Sequence, residues 1–452
     1  MDGTEHTQNM ENGIRIRGGI TLETVLEAEL RLSVNAHGFL SVKGIAAGQI
    51  DMDQRWYGEK ISMETVENGE ATLVFQGVLT ELELCRNGSY SEVRIEAMTG
   101  TCLLDMEKKS RSFQNTEQTC GDLVKKIVSE MSGGGAVATA GRIGIGKPLI
   151  QYRETDWEFI KRLAGLAGAA LIPDTDSGLP RLWFMTMERS QSASEVRRAA
   201  EPARTTPEEA GCRVVAHICR KKRNSIGKTV EILLQGKAGP RLGDRLYTEG
   251  QEWMVYQVQA RLTAGELVYT YWLTNPKEVV QARLDRPYIA GLSLTGKTEK
   301  TAGENIYVRL DIDGEEAQGD YGYDYRPVTG QILYGMPEMC STVSLLYPED
   351  DERDGIVVEN PGWAQDCPTA RDSGMKRLET DDGKELFLFP VTMGASAQNQ
   401  SGQVSKIVLA DRDSVWMDSF HNLSISAVGP VTCRASSIRV HAPLSIEISQ
   451  GK

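Results

Sequence analysis

Large aromatic side chains are scarce in this chain of 452 residues, which contains 8 phenylalanines against 45 glycines. That ratio favours strands and tight turns over a core built on big aromatic rings. The hydrophobic fraction of 40% and the charged fraction of 25% are those of an ordinary globular protein. The length allows roughly two to four domains. The composition therefore predicts a β-rich protein of several domains.

Positive charge is also in short supply. Lys and Arg together number 50 against 63 Asp and Glu, which gives a net charge of −13. The one compact basic run, residues 220–223, is short and is typical of a solvated strand end. We therefore expect no nucleic-acid partner.

Signals for secretion, membrane insertion and disulfide formation are missing as well. The first residues have neither the basic nor the apolar region of a Sec signal. No apolar run approaches the roughly 18 residues that a membrane helix needs. The 8 cysteines include no C-x-x-C pair, which favours reduced and mostly buried thiols. These absences predict a chain that is made in the cytoplasm.

Short alternating strands dominate what is present. Runs such as Ala28–Val34 and Leu40–Ile45 alternate apolar and polar residues, and Asn68-Gly69 and Asn87-Gly88 are strong hairpin signals between such runs. The block from residue 14 to 102 predicts a small antiparallel barrel, and a second strand-rich block follows from 213 to about 275. Residues 190–211 have little periodicity and predict a surface helix or an insertion.

One helix interrupts these strands with unusually clear signals. Thr155 is a good N-cap, and Asp156 and Glu158 place negative charge in the first turn. An apolar stripe at helical spacing and Gly168 at the end complete the pattern, with the stripe formed by Trp157, Ile160, Leu163, Ala164 and Ala167. The carboxylates at this start are better explained by the helix dipole than as the catalytic pair of a glycosidase.

Other residue patterns resemble phosphate-binding or metal-binding sites, but each lacks a required residue. Residues 141–147 have the spacing of a phosphate loop, but Pro148 stands where Ser or Thr is required. Cys212, His217 and Cys219 lack a fourth zinc ligand. His441 stands alone, without a second histidine at H-x-H spacing. We therefore expect no catalytic residue, no cofactor and no metal ligand.

Two segments carry a family resemblance. Residues 151–163 read Q-Y-R-E-T-D-W-E-F-I-K-R-L, and residues 104–114 read L-D-M-E-K-K-S-R-S-F-Q. Both motifs resemble the hub domain of the VgrG and phage late-control D proteins, the central spike of contractile injection machines. The resemblance implies a mainly β chain with some α-helix, in which tandem hub barrels with inserted helices precede an OB-like barrel and a short trimeric β-prism.

The resemblance also implies a domain plan. We expect an extended or disordered start over residues 1–13, a hub with two barrels over 14–285, an OB-like barrel over 286–365, a linker over 366–400, and the β-prism over 401–452. In the last segment, short strands are expected near residues 406, 414, 422, 430, 437 and 444. Such strands cannot bury their apolar faces within one thin chain, whereas three chains sharing a core can.

Structural roles are expected for the residues of both motifs and of the shaft. In the hub these anchor the signature helix or fix the loop before it: Phe113, Gln114, Tyr152, Arg153, Asp156, Trp157, Phe159 and Arg162. In the shaft these form the trimer core: Ile438, Val440, Leu444, Ile446 and Ile448. A plain packing role explains each of these residue types as well.

The function implied is mechanical rather than enzymatic. A homotrimer with two barrels per chain would match the sixfold tail tube to a threefold, membrane-puncturing spike. The partners implied are the tube protein hexamer, baseplate proteins, and a separate tip (PAAR-like) protein or cargo at the carboxyl end. The particle would eject the spike towards a target cell. Two alternatives stay open, a tail-associated cell-wall hydrolase and a trimeric receptor-binding tail protein, and the sequence does not identify the machine.

Overall fold

The computed structural model describes residues 12–48, 50, 56–88, 90–139, 143–186, 205–221, 228–237, 239–284, 289–314, 318–326, 336–337, 339–359, 376–380, 382–412, 414–442 and 444–447. The chain divides into two compact units, Met1–Asn360 and Pro361–Lys452. The helix or insertion expected near residues 190–211 lies mostly outside the described residues, as does most of the N-terminal segment 1–13.

Strands make up most of the first unit. In chain order they are β1 (Asn12–Arg17), β2 (Leu22–Ser33), β3 (Phe39–Ala46), β4 (Lys60–Glu67), β5 (Glu70–Asn87), β6 (Tyr90–Met98), β7 (Lys108–Phe113), β8 (Gly135–Ala138), β9 (Leu149–Thr155), β10 (Ala169–Pro173), β11 (Arg181–Thr186), β12 (Cys212–Lys221), β13 (Lys228–Gly236), β14 (Arg245–Thr248), β15 (Gln251–Thr263), β16 (Glu266–Thr274), β17 (Ser293–Ala302), β18 (Asn305–Leu310), β19 (Gly322–Asp324), β20 (Thr342–Leu346) and β21 (Ile356–Glu359).

Helical segments are few. The two α-helices are α1 (Cys120–Ser129) and α2 (Asp156–Ala167), and short 3₁₀ turns occur at Gly100–Asp105, Pro276–Glu278, Asp311–Asp313 and Glu352–Asp354. The expected mainly β architecture with some α-helix is confirmed.

The largest sheet joins the two strand-rich blocks of the sequence. Its order is β1-β4-β5-β6-β3-β2-β15-β16-β13-β12, with β14 paired to β15. The blocks meet where β2 pairs antiparallel with β15, from Glu29 opposite Arg261 to Ser33 opposite Gln257. Alternate residues of both strands are buried there, among them Leu30 and Val258. Among the described residues the two blocks share one sheet, because this pairing continues the ladder from one block to the other. The division of the hub into two barrels stays a prediction.

A smaller layer holds the two helices. Strands β7 and β9 pair with each other, and β10, β11 and β8 form a three-stranded sheet. The buried faces of α1 and α2 meet these strands in one apolar core that includes Leu123, Trp157 and Phe184. This layer contains both motifs that the sequence analysis singled out.

A five-stranded sheet ends the first unit, in the order β19-β18-β17-β20-β21. The pattern along β18 alternates strictly, with Ile306, Val308 and Leu310 fully buried. An isolated parallel bridge between Tyr325 and Val357 joins the two outermost strands. The strand expected at residues 330–334 lies outside the described residues.

The second unit contains a five-stranded antiparallel meander. Its strands are β22 (Lys376–Glu379), β23 (Lys384–Phe389), β24 (Thr392–Gln398), β25 (Val404–Ala410) and β26 (Ser414–Asp418), and neighbours in the chain are neighbours in the sheet. The strands expected near residues 406 and 414 are therefore present.

The expected strands near residues 422, 430, 437 and 444 are not formed within this single chain. From residue 419 to 447 the described residues contain no strand, and their side chains are exposed. The physical reason is that a strand needs a hydrogen-bonding neighbour, and a chain running on alone offers none.

Candidate functional site

The helix α2 begins with a complete capping box. Thr155 Oγ1 accepts a hydrogen bond from the Glu158 amide at 3.1 Å, and the Thr155 amide donates to Glu158 Oε2 at 3.0 Å. Gly168 ends the helix in the left-handed conformation, with φ of 60°. Both ends of the helix are therefore fixed by local sequence, as its residues predict.

The first residue of α2 is a buried carboxylate. Asp156 is 2% exposed and accepts hydrogen bonds from Lys109 Nζ at 2.7 Å, Arg111 Nη2 at 2.9 Å and Gln151 Nε2 at 2.9 Å. Lys109 and Arg111 also reach Glu130 at the end of α1. The two cations of β7 thus tie the end of one helix to the start of the other.

Aromatic rings pack around this polar group. Phe113 stacks on Phe159 with ring centroids 5.1 Å apart, and Trp157 lies 4.4 Å from the ring of His37. Both Trp157 and Phe159 are almost fully buried. These contacts hold α2 against β7 and against the turn between β2 and β3.

Tyr152 and Arg153 lie on the other side of the layer. Tyr152 is partly buried and packs against the core of the five-stranded sheet. Arg153 is exposed, has φ of 50°, and is the extra residue of a bulge opposite Lys109 and Ser110. Its guanidinium lies 5.4 Å from the Tyr152 ring centre. Arg153 therefore covers Tyr152 rather than the helix.

Arg162 carries a buried charge near the middle of α2. Its side chain is 10% exposed and donates to Glu154 Oε2 at 2.9 Å, to the Ile150 carbonyl at 2.7 Å and to Glu352 Oε1 at 2.5 Å. Burial works to lower the pKa of Arg162, but the carboxylates of Glu352 and Glu154 outweigh it and raise that pKa. The guanidinium also lies 4.9 Å from the centre of the Phe159 ring.

Arg162 belongs to a group of contacts between the helical layer and the five-stranded sheet, which we call the junction. Its members on the layer side are Ser112, Gln114, Lys147, Ile150 and Arg162, and on the sheet side Val308, Asp313, Glu352 and Asp354.

Ser112 and Gln114 also donate hydrogen bonds across the junction. The amide and hydroxyl of Ser112 donate to the two carboxylate oxygens of Asp313 at 2.5 and 2.6 Å. Gln114 Nε2 donates to the Val308 carbonyl at 3.0 Å. Burial raises the pKa of Asp313, and the bonds from Ser112 offset part of that rise.

Sequence reasoning missed several of these residues. The sequence alone assigns no role to Ser112, Glu352 or Asp354. For Ser112 the available signal is its place in the motif run R-S-F-Q, beside Phe113 and Gln114. The acidic residues carry no such signal, because their partners lie about 190 residues away.

A second missed group surrounds His37. His37 Nδ1 and Thr101 Oγ1 share a hydrogen bond of 2.8 Å, and His37 Nε2 lies 3.6 Å from Asp105 Oδ2. Asp105 also accepts a hydrogen bond from the hydroxyl of Thr155, the N-cap of α2. Burial lowers the pKa of His37 to about 4, although the Asp105 carboxylate opposes this effect.

The arrangements that resembled chemical sites are not assembled. Cys212 is buried, His217 pairs with Glu249 at 2.7 Å, and Cys219 is exposed. Lys147 of the glycine loop pairs with Asp354, while residues 141 and 142 lie outside the described range. In the part of the chain that the structure describes, no three His, Cys, Asp or Glu side chains are grouped as metal ligands. Within the same part, no helix is long and apolar enough to cross a membrane.

Comparison with solved structures identifies the class of fold. An E. coli protein, c3393, described as a component of the type VI secretion system with structural similarity to the T4 bacteriophage tail proteins gp27 and gp5, is 15% identical with a TM-score of 0.56. That match covers 76% of this chain and 98% of the other. A Francisella PdpA–VgrG complex, in its lidded form, gives 9% identity and a TM-score of 0.58, covering 92% and 81%. The fold is that of VgrG-like hub proteins.

A family model matches part of the sequence. Residues 24–231 match the family model described as the phage tail baseplate hub (GPD). The resemblance to the VgrG and phage late-control D family is thereby confirmed. No curated protein sequence matches the chain.

The buried carboxylate of Asp156 provides a first test. Replacing Asp156 by Ala leaves Lys109 and Arg111 without their most buried partner, so the free energy of unfolding should fall by about 3 kcal/mol. Urea denaturation followed by circular dichroism measures this. The control is Asp122→Ala, an exposed acidic residue in the first turn of α1, which should cost under about 1 kcal/mol. Equal losses in the two variants would contradict the assigned role of Asp156.

The lowered pKa of His37 predicts a pH dependence of stability. The folded state holds the neutral imidazole down to about pH 4, whereas the unfolded chain is protonated below about 6.5. The stabilising contribution is therefore complete above pH 6.5 and is lost as the pH falls towards 4, by about 2 kcal/mol between pH 7.5 and 5. Urea denaturation at both pH values should show that His37→Asn loses about 2 kcal/mol less stability between pH 7.5 and 5 than the wild type does. Parallel losses in wild type and variant would show that His37 does not titrate as inferred.

Proposed function

We propose that the chain is the hub-spike protein of a contractile injection system, and that it works as a non-enzymatic homotrimer. The baseplate-hub match over residues 24–231 and the VgrG-like fold support the hub part of this proposal. The family is one of structural hub and spike proteins, so the contribution of this chain is to shape an assembly.

One observation carries the trimer, namely two adjacent apolar rows on one sheet face of the second unit. The cross-strand pairs Leu388–Met393, Met393–Leu409 and Leu409–Val415 place these side chains on one face, and the pairs Leu386–Ala395, Ala395–Ile407 and Ile407–Met417 form the next row. Every large residue of these two rows is more than 40% exposed in the single chain: Leu386, Leu388, Met393, Ile407, Leu409, Val415 and Met417. A contiguous apolar surface of this kind marks an interface.

The opposite face of the same sheet is mixed and charged. Arg377 pairs with Glu385 at 3.2 Å, and Lys406 lies opposite Asp418 in the ladder. Phe387 packs over Gly394, where a Cβ would come within 2.7 Å of the ring. The two faces therefore differ enough to specify which one turns inward. Three copies that bring their apolar faces together would bury those faces and leave the charged faces in water.

Further along the chain, the proposed shaft residues are also exposed. Ile438, Val440, Leu444 and Ile446 range from 56 to 97% exposed, whereas Ile448 lies outside the described residues. We propose that they enter strands when three chains supply one another's hydrogen-bonding neighbours. The strands β22–β24 precede residue 400, which supports including residues 376–400 in the shaft rather than in a linker. The hub over 14–285 and the OB-like module over 286–365 are kept as proposed domains.

The partners follow from this role. Six equivalent hub rims in a trimer would meet the six subunits of a tail tube, and baseplate proteins would surround them. A separate tip protein or cargo at the carboxyl end completes the proposal. A VgrG protein from Francisella is itself named in a complex with PdpA. The chain would be made in the cytoplasm, built into the particle and ejected on contraction.

The mass of the purified chain in solution tests the trimer. We expect light scattering to give three chain masses, and Leu386→Asp with Leu409→Asp to give one, because two charges per chain would be buried in the shared core. The control, Ser414→Asp, places the same charge on the opposite face and should remain trimeric. A wild-type monomer would contradict the trimer and leave the hub fold as it stands.

The non-enzymatic part has its own test. Incubation of the purified chain with peptidoglycan should release no soluble fragments above the level of a heat-inactivated sample. Chromatography with detection of released sugars measures this. Release that depends on chain concentration would support the cell-wall hydrolase instead.

A further inference from the structure

The polar side chains of the two hub motifs divide into two groups by the direction of their bonds. Thr155 and Asp156 bond within the hub layer, to Asp105, Glu158, Lys109 and Arg111. Ser112, Gln114 and Arg162 instead bond across to the five-stranded sheet. A helix that served only the hub core would not need the second group. The motifs therefore stabilise the hub itself and also connect the hub to the five-stranded sheet.

Arg162 is the strongest of the crossing contacts. A guanidinium that is 90% buried is tolerated only when carboxylates lie close enough to compensate for the lost water. One of its two carboxylates, Glu154, belongs to the hub, and the other, Glu352, belongs to the 3₁₀ turn beside β21. Glu352 also accepts from the Ile150 amide at 3.2 Å. The carboxylate of Glu352 thus accepts hydrogen bonds from both α2 and β9 of the hub.

The crossing bonds reach three separate elements of the sheet domain. Arg162 and Ile150 contact the turn Glu352–Asp354, Gln114 contacts β18, and Ser112 contacts the turn Asp311–Asp313. The side chain of Ile150 is fully buried within the core of the five-stranded sheet. Contacts at three points that do not lie on one strand fix orientation as well as distance.

Helix α2 also contacts the segment that connects β16 to the five-stranded sheet. Gly165 of α2 lies so near this segment that a Cβ would come within 2.8 Å of the Ala282 carbonyl oxygen. The Gln281 amide donates to the Ala169 carbonyl at 2.9 Å, and Arg283 lies 3.7 Å from Asp351. The described part of the connection up to residue 284 therefore lies against the hub.

We propose that the junction is a rigid joint, in which Arg162 and Glu352 act as positioning residues that make the hub and the five-stranded sheet unfold and move as one body. The idea that this joint transmits a contraction stroke from hub to spike rests on the proposed function. The coupling of the hub to the five-stranded sheet does not rest on it, because it concerns contacts within one chain.

Glu352→Gln tests the joint with little change of shape. In wild-type protein the hub and the five-stranded sheet should unfold in one calorimetric transition, whereas in the variant they should unfold in two, since they lose their strongest link. Gln keeps one accepting oxygen but no charge, so the Ile150 amide keeps at most a weaker hydrogen bond and its hydrogen exchange should become at least about tenfold faster. The matched control is Asp354→Asn in the same turn, whose ion pair with Lys147 is about half exposed and should contribute little.

A second variant guards against local misfolding of that turn. Gln114→Met keeps the volume but removes the bond to β18, so it should also separate the transitions while the turn Glu352–Asp354 keeps its native exchange. One unchanged transition in both variants, or equal effects of Glu352→Gln and Asp354→Asn, would overturn the proposal. A monomeric chain would contradict the proposed function without affecting this result.

Discussion

The first unit depends on one constraint: two buried side chains of opposite charge on one short helix must each find partners on other elements. Asp156 and Arg162 lie on α2 six residues apart, and neither can remain charged in the interior without partners placed around it. The partners of Asp156 fix β7 and α1, and those of Arg162 fix β9 and the turn Glu352–Asp354. The positions of four elements around α2 thus depend on the partners of two side chains.

Local signals in the sequence were sufficient for this helix and for much of the strand pattern. Thr155, Glu158 and Gly168 predicted both ends of α2, because capping depends only on neighbours in the chain. Alternation predicted β2 and β3. The joining of the two strand-rich blocks was not predicted, since the pairing of Glu29 with Arg261 depends on register between distant strands. Glu352 and Asp313 were missed for the same reason.

The second unit was predicted only in part, and the reason is different. Alternation marks β25 and β26 correctly, yet the described residues between 419 and 447 carry similar patterns and form no strand in the single chain. A pattern reports which side chains prefer to be buried, but it does not say which chain supplies the neighbour. Where the neighbouring strand belongs to another copy, the sequence predicts a strand that the single chain does not form. Both observations are then physically consistent.

The pairing of β2 with β15 also affects how the protein is synthesised. About 230 residues separate the partners, so β2 leaves the ribosome long before β15 exists. During that interval β2 presents an unpaired edge with alternating apolar residues, which is the form of strand that recruits wrong neighbours. Pairings of such long sequence separation also slow folding, because a large loop must close first. The hub sheet therefore cannot be completed until β15 has been made, and this delay sets how long the edge of β2 remains exposed to aggregation in the nascent chain.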